Sequence, residues 1–326
     1  MKWGILGTSF ISDVMAAAIA GDSESELYAV AGRNPQTLAE FASKHSVAKT
    51  YLSMDELIED SDVEVVYIAL PNHLHHDYVI KAAQKGKAIL CEKSLSIDME
   101  KTHAALDAVR EHDVFFAEGL MYLNHPLIES ILETLKQGTI GEVRSIQGSY
   151  IAAISQFVNP ESKGALYNLG CYPVSLMHLV LQNHFGDSIF ENREIQAIGR
   201  KGQDGNLCES SAIFKFGENV TAQMHTAEDH GLKHGFTIHG SKGAISLTTN
   251  PWLPSEENQY SVEVYETSQQ TVTVPAKGDG FYYQVRNIRQ AVDLGRKSLD
   301  RPSATPDDST QIMKLLTDWE RAASEQ

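Results

Sequence analysis

Three cysteines in 326 residues, Cys91, Cys171 and Cys208, are too few and too scattered for a disulfide framework, which fits a reducing compartment. Long apolar runs are also missing. The longest are strand-sized, well short of the roughly 18 residues a membrane-spanning helix needs. The run after Met1-Lys2 ends at Gly7, too short for a signal-peptide core. Positive charge is scarce: 27 Lys and Arg stand against 43 Asp and Glu, a formal net charge of -16, with no basic cluster. A nucleic-acid partner is therefore excluded, because such binders gather Lys and Arg on one face. The expectation is a cytoplasmic protein with neither nucleic-acid nor membrane partners. With 42% hydrophobic and 21% charged residues, the composition is that of an ordinary globular chain.

The first third alternates two patterns. Short apolar runs at 3–6, 27–31, 63–70, 88–91 and 114–117 read as buried parallel strands, and amphipathic stretches between them read as helices. Asn34-Pro35 offers a helix cap with proline in the first turn, and residues 53–56 read as a capping box. This alternation predicts a Rossmann-type, doubly wound parallel sheet over residues 1–120. From 121 to 326 strands dominate. After one helix at 127–136, hairpins are expected at 212–225 and 236–248, and further strands at 262–265 and 271–274. Helices return at 282–297 and 310–323, with 301–308 read as a surface loop. The second part is thus predicted to be a large, mostly antiparallel open-faced sheet, and the whole chain α/β followed by α+β.

Gly7-x-Ser9-x-x-Ser12 follows the first strand and opens the first helix, where a dinucleotide fingerprint belongs. Free N–H groups and the positive end of the helix dipole there suit a pyrophosphate, and serine is small enough for the close approaches. At the end of the second strand an NAD site usually carries Asp or Glu, but this chain has Ala31-Gly32-Arg33-Asn34. A guanidinium beside a small residue suits a 2′-phosphate, so NADP is favoured over NAD; the alternative is a solvated arginine.

Ligands of open parallel sheets sit outside the carboxyl ends of the strands, where Pro71-Asn72-His73-Leu74-His75 and Glu92-Lys93-Ser94 are expected. These segments, residues 4–12, Ala82-Ala83 with Gly86, Cys91-Glu92-Lys93, Glu118-Gly-Leu-Met121-Tyr122, His125-Pro126 and Gly164-Ala-Leu-Tyr-Asn168-Leu-Gly170-Cys-Tyr172 together resemble the Gfo/Idh/MocA oxidoreductases. The resemblance covers essentially the whole chain, and its later segments look most like the branch with dimeric dihydrodiol dehydrogenases and NADP-linked xylose dehydrogenases. It implies that Lys93 matches the catalytic lysine of the family's Glu-Lys-Pro motif and Tyr172 the tyrosine of this branch. A lysine ammonium stabilises a developing alkoxide and lowers a neighbouring phenol's pKa. An interior structural tyrosine is the alternative for Tyr172.

Three departures stand out. Ser94 replaces proline, and serine predicts a trans peptide after Lys93. Asn168 replaces a common Asp, and its amide can orient a hydroxyl but cannot act as a base. Ser162-Lys163 stands where the family often has two glycines. The reading is hydride transfer between nicotinamide and a hydroxyl or carbonyl carbon of a sugar, polyol or vicinal diol. Lys93, Tyr172 and Asn168 are the catalytic candidates, and Gly7, Thr8, Ser9, Phe10, Ile11, Arg33, Leu70, Asn72, His75, Glu92 and Lys93 line the cofactor. The His73-x-His75-His76 cluster lacks the partners of a metal site, and no metal is expected. A homodimer or higher oligomer through the second sheet is expected, because that sheet's other face needs cover. The rival readings are a non-catalytic NADP sensor and an enzyme whose nicotinamide never dissociates.

Overall fold

The computed structural model describes residues 1–325, which divide into two units, 1–124 with 281–310, and 125–280 with the described residues from 311 onward. A single boundary at residue 120 was expected. Instead 281–310 belongs with the first unit, where Arg289, on the helix Gly280–Asp293, pairs with Asp22 at 2.7 Å with both groups buried. Gln326, the last residue of the expected second domain, lies outside the described residues.

The first unit runs β1 (Lys2–Leu6), α1 (Phe10–Ala20), β2 (Glu26–Ala31), α2 (Pro35–His45), β3 (Lys49–Tyr51), α3 (Met54–Glu59), β4 (Val65–Ile68), α4 (His75–Gln84), β5 (Ala88–Cys91), α5 (Met99–Glu111) and β6 (Phe116–Glu118). The strands lie in the order β3-β2-β1-β4-β5-β6 with every pairing parallel. The order reverses between β1 and β4, and all strand carboxyl ends fall on one edge. Strands β4 and β5 are buried along their whole length, which is why they read as unbroken apolar runs. Asn34 caps α2 as its sequence predicts, accepting from the N–H groups of Gln36 and Thr37 at 2.9 and 3.2 Å. The capping box expected at Ser53 is not made; α3 starts there without a side-chain cap and is held by buried Met54, Leu57 and Ile58.

The second unit contains α6 (Pro126–Lys136), β7 (Val143–Ala152), α7 (Cys171–Phe185), β8 (Arg193–Lys201), β9 (Leu207–Phe216), β10 (Val220–Ala227), β11 (Leu232–Gly240), β12 (Gly243–Leu247), β13 (Glu257–Val264) and β14 (Ser268–Pro275). Their order is β14-β13-β12-β11-β7-β10-β9-β8, antiparallel except for the parallel pair β7 and β10. Beyond them come α8 (Gly280–Asp293) and α9 (Pro306–Ser324). The loop expected up to residue 308 ends earlier, because Thr305 and Asp308 cap α9 reciprocally: each backbone N–H donates to the other's side chain. One face of the second sheet bears a concavity of about 740 Å³ across β7 to β11, lined by Gln147, Gln223 and Thr237, with Ile198 and Ile213 63% and 53% exposed. Among the described residues no helix is long and apolar enough to cross a membrane.

Candidate active site

In the first unit the carboxyl edge of the parallel sheet brings together four segments named from the sequence. Gly7 leaves β1 with φ 107°, and a Cβ there would stand 2.7 Å from the Ala69 carbonyl oxygen, so the turn admits only glycine. Thr8 is half-buried, Ser9 and Phe10 are exposed, and Ile11 is half-buried at the start of α1. The Ser9 N–H donates to Ser12 Oγ at 3.2 Å and the two hydroxyls lie 3.3 Å apart, which tightens the turn. Free amides of an eleven-residue helix behind a glycine-only turn form a cradle that fits a pyrophosphate. Arg33, past the end of β2, is exposed and pairs with none of the described residues.

Leu70 and Asn72 follow β4, the first half-buried and the second buried. His75, expected from the sequence to line the nicotinamide end of the pocket, is wholly buried. Its Nδ1 lies 2.9 Å from the Ser94 carbonyl oxygen and its Nε2 2.6 Å from that of Leu70. The ring thus fastens the loop after β4 to the loop after β5. Burial pushes its pKa down to about 4, while the two carbonyls, each of which asks a ring N–H to donate, act against that fall.

Glu92 and Lys93 follow β5, with Glu92 buried and Lys93 half-buried. The Tyr67 hydroxyl donates to Glu92 Oε1 at 2.6 Å, and the Lys93 N–H approaches Oε2 at 3.3 Å. Burial raises the Glu92 pKa, while the Lys93 charge and the Tyr67 hydroxyl act against that rise. The trans peptide expected at Ser94 is not found; the Lys93–Ser94 bond is cis. Contacts along the segment hold it where proline was expected: His75 on the Ser94 carbonyl, and the Leu95 N–H on Glu118 Oε1 at 3.0 Å. Sequence reasoning gave Tyr67 and Glu118 no role. The signal for Glu118 was its place at the end of β6, in register with Cys91 just ahead of Glu92.

In the second unit, Asn168 lies in a π-helical turn, Leu166–Gly170, that runs straight into α7, and Tyr172 stands in the first turn of that helix. Both are buried. Asn168 Nδ2 donates to Glu228 Oε2 at 2.7 Å. The Tyr172 ring packs edge-on against Tyr150, centroids 5.2 Å apart, and lies 6.1 Å from Trp252. Lys163 adopts the left-handed conformation at φ 65°, where the two glycines of the resemblance would sit without strain, and its ammonium pairs with Glu320 at 3.1 Å. Glu228 is the third group that sequence reasoning missed. Among the described residues no three His, Cys, Asp or Glu side chains are arranged to hold a metal.

Residues 1–120 match the oxidoreductase family with an NAD-binding Rossmann fold, Gfo/Idh/MocA, and residues 128–246 match the C-terminal domain of the same family. The chain belongs to the Gfo/Idh/MocA family. It is an NAD(P)-dependent oxidoreductase. A Rhizobium meliloti protein described as an uncharacterized oxidoreductase is 31% identical over 79% of this chain and 77% of its own length. The trans-1,2-dihydrobenzene-1,2-diol dehydrogenase of Xenopus laevis is 28% identical over 97% of this chain and 96% of its own. Among solved structures, a 3-ketoreductase from Actinomadura kijaniata with NADP and TDP-benzene superimposes with a TM-score of 0.87 at 23% identity, covering 99% of this chain and 97% of that one. A levoglucosan dehydrogenase with NADH and levoglucosan gives 0.82 at 21% identity, covering 100% and 97%. At such identities these two likenesses show the fold alone.

Proposed function

We propose that the protein is an NADP-preferring dehydrogenase or reductase of a sugar, polyol or vicinal diol. The observation that carries this reading is the pair of buried carboxyls, Glu92 and Glu118, holding the amides on either side of Lys93, at the edge where Gly7 forms its cradle. A lysine fixed in this way presents its ammonium at a set place, and a fixed charge stabilises developing alkoxide without reorganising. Nicotinamide, when bound, takes or gives the hydride. Lys93 holds the substrate oxygen, Tyr172 exchanges its proton, and Asn168 orients a second hydroxyl. Gly7, Thr8, Ser9, Phe10 and Ile11 receive the pyrophosphate. Leu70, Asn72 and Glu92 line the nicotinamide side, and His75 acts behind them by positioning both loops.

Preference for NADP rests on Arg33, exposed and unpartnered at the end of β2, with no acid beside it. Dihydrodiol dehydrogenases that match nearly the whole chain favour a vicinal diol or a sugar with adjacent hydroxyls. Three buried free cysteines are consistent with a cytoplasmic protein. The exposed isoleucines on the second sheet favour a homo-oligomer formed through that face.

The test is absorbance-monitored reduction of NADP across a panel of aldoses, polyols and diols, with NAD and a Lys93→Met variant alongside. Turnover with NADP is expected, and Lys93→Met loses at least about a thousandfold of kcat while still binding NADP, since removing one electrostatic stabiliser costs about 10²–10³ and the ammonium is the principal one here. Tight NADP binding by the wild type with no turnover in either direction would instead make this a sensor.

A further inference from the structure

Asn168 stands where the resemblance predicts a carboxylate, and the structure puts a carboxylate directly behind it. Glu228 follows β10, and its backbone is clamped on both sides. Its N–H donates to the Cys208 carbonyl at 2.9 Å, and its carbonyl accepts from the N–H groups of Ile154 and Ser155, both at 2.8 Å. The side chain is therefore delivered to a fixed place, where Oε2 accepts from Asn168 Nδ2 at 2.7 Å. Both groups are buried. We infer that Glu228 is a positioning residue of the substrate site, whose ionised carboxylate sets which end of the Asn168 amide faces the substrate. This inference rests on the reading of Asn168 as the group that orients a second substrate hydroxyl.

The chemistry follows from the donor and acceptor inventory. An ionised carboxylate only accepts, so the amide atom beside it must be nitrogen, and the amide oxygen is turned the other way. A substrate group met by that oxygen must be a donor. A free hydroxyl satisfies it; an ether or a ketone at the same position does not. The class selected is thus a polyol or diol with a free hydroxyl beside the reacting carbon. When Glu228 takes up a proton it becomes a donor, and the amide loses its fixed sense. The charged groups acting on Glu228 are Asp204 and Asp229, the latter already paired with Arg200 and His230. Burial and these two carboxylates hold the Glu228 pKa above the ordinary 4.5. The ionised form is required, so kcat/KM should fall on the acid side of a limb that lies above 4.5.

The test compares wild type with Glu228→Gln on the best diol or sugar of the panel and on its mono-O-methyl ether, following kcat and KM from pH 5 to 9. Glutamine keeps the shape but presents either atom to Asn168. The expected result is about a tenfold rise in KM with kcat little changed, near-loss of discrimination against the methyl ether, and disappearance of the acid limb, with NADP affinity and far-ultraviolet ellipticity unchanged. A second variant, Asn168→Asp, places two carboxyls within about 3 Å; one must hold a proton, and the acid limb moves to higher pH. Wild-type KM, discrimination and pH profile in Glu228→Gln overturn the inference while leaving the enzyme reading intact. Absence of turnover by the wild type on every panel member overturns both.

Discussion

Glu118 illustrates how a group behind the site couples its protonation to the fold. It is buried, and its Oε1 accepts from the Leu95 N–H at 3.0 Å. Burial raises its pKa from 4.5 to about 7, with the charge of Glu92 adding to the rise. The folded chain keeps this proton up to about pH 7, whereas the unfolded chain sheds it near 4.5. Stability from this group is therefore complete below about 4.5 and lost as pH climbs through 7. The loss amounts to about 3 kcal/mol once both states are ionised. Glutamine at 118 has no proton to lose and keeps an oxygen for Leu95. Glu118→Gln should match the wild type near pH 5 and exceed it at pH 8. The gain in melting temperature is about 4 °C if the whole chain unfolds together, and about twice that if the first unit unfolds alone. Fluorescence-monitored melting of both proteins from pH 5 to 8.5 measures it. Taking the difference between the two curves cancels the titrations that do not feel Glu118, and leaves Glu92, whose charge acts on it, as a neighbour whose titration shifts with the substitution. A difference that stays flat across the range would refute the burial argument.

Arg33→Ala should raise KM for NADP about tenfold to a hundredfold, since hydrogen bonds to charged groups are worth about 1.5–3 kcal/mol, and should leave KM for NAD unchanged. Equal effects on both cofactors in steady-state kinetics would remove Arg33 from the 2′-phosphate. On the second sheet, Ile213→Asp puts a charge on an exposed apolar face and should convert an oligomer to a monomer by light scattering, without loss of far-ultraviolet ellipticity. An unchanged molar mass would place the interface elsewhere.

The parallel sheet of the first unit was legible because its elements carry local signals. Buried runs such as Val65–Ile68 and Ala88–Cys91 are apolar on both faces, and Asn34-Pro35 caps its helix through atoms two and three residues away. The candidate site residues at the carboxyl edge follow from that sheet, so the places of Gly7, Arg33, Glu92 and Lys93 were readable by position as well as by resemblance. Helix α7 was not readable. Its residues are buried from Cys171 to Gln182, so it has no amphipathic period, and Pro173 resembles a breaker although it sits in the first turn where proline is tolerated. β3 is three residues long and only partly buried, too short for periodicity.

Sequence alone determined the fold class, the glycine turn, the cationic end of β2 and the types of side chain available for hydride transfer, because each depends on near neighbours in the chain. Tertiary structure alone decided three things. It buried His75 between two loops, with its ring nitrogens against the carbonyls of Leu70 and Ser94, five and nineteen residues away. It placed Glu118 under the lysine loop, because β5 and β6 are adjacent only once the sheet has formed. It joined Asn168 to Glu228 across sixty residues of sequence, where no local pattern pairs an amide with a carboxylate and only the packing of the π-turn against β10 brings them within 2.7 Å.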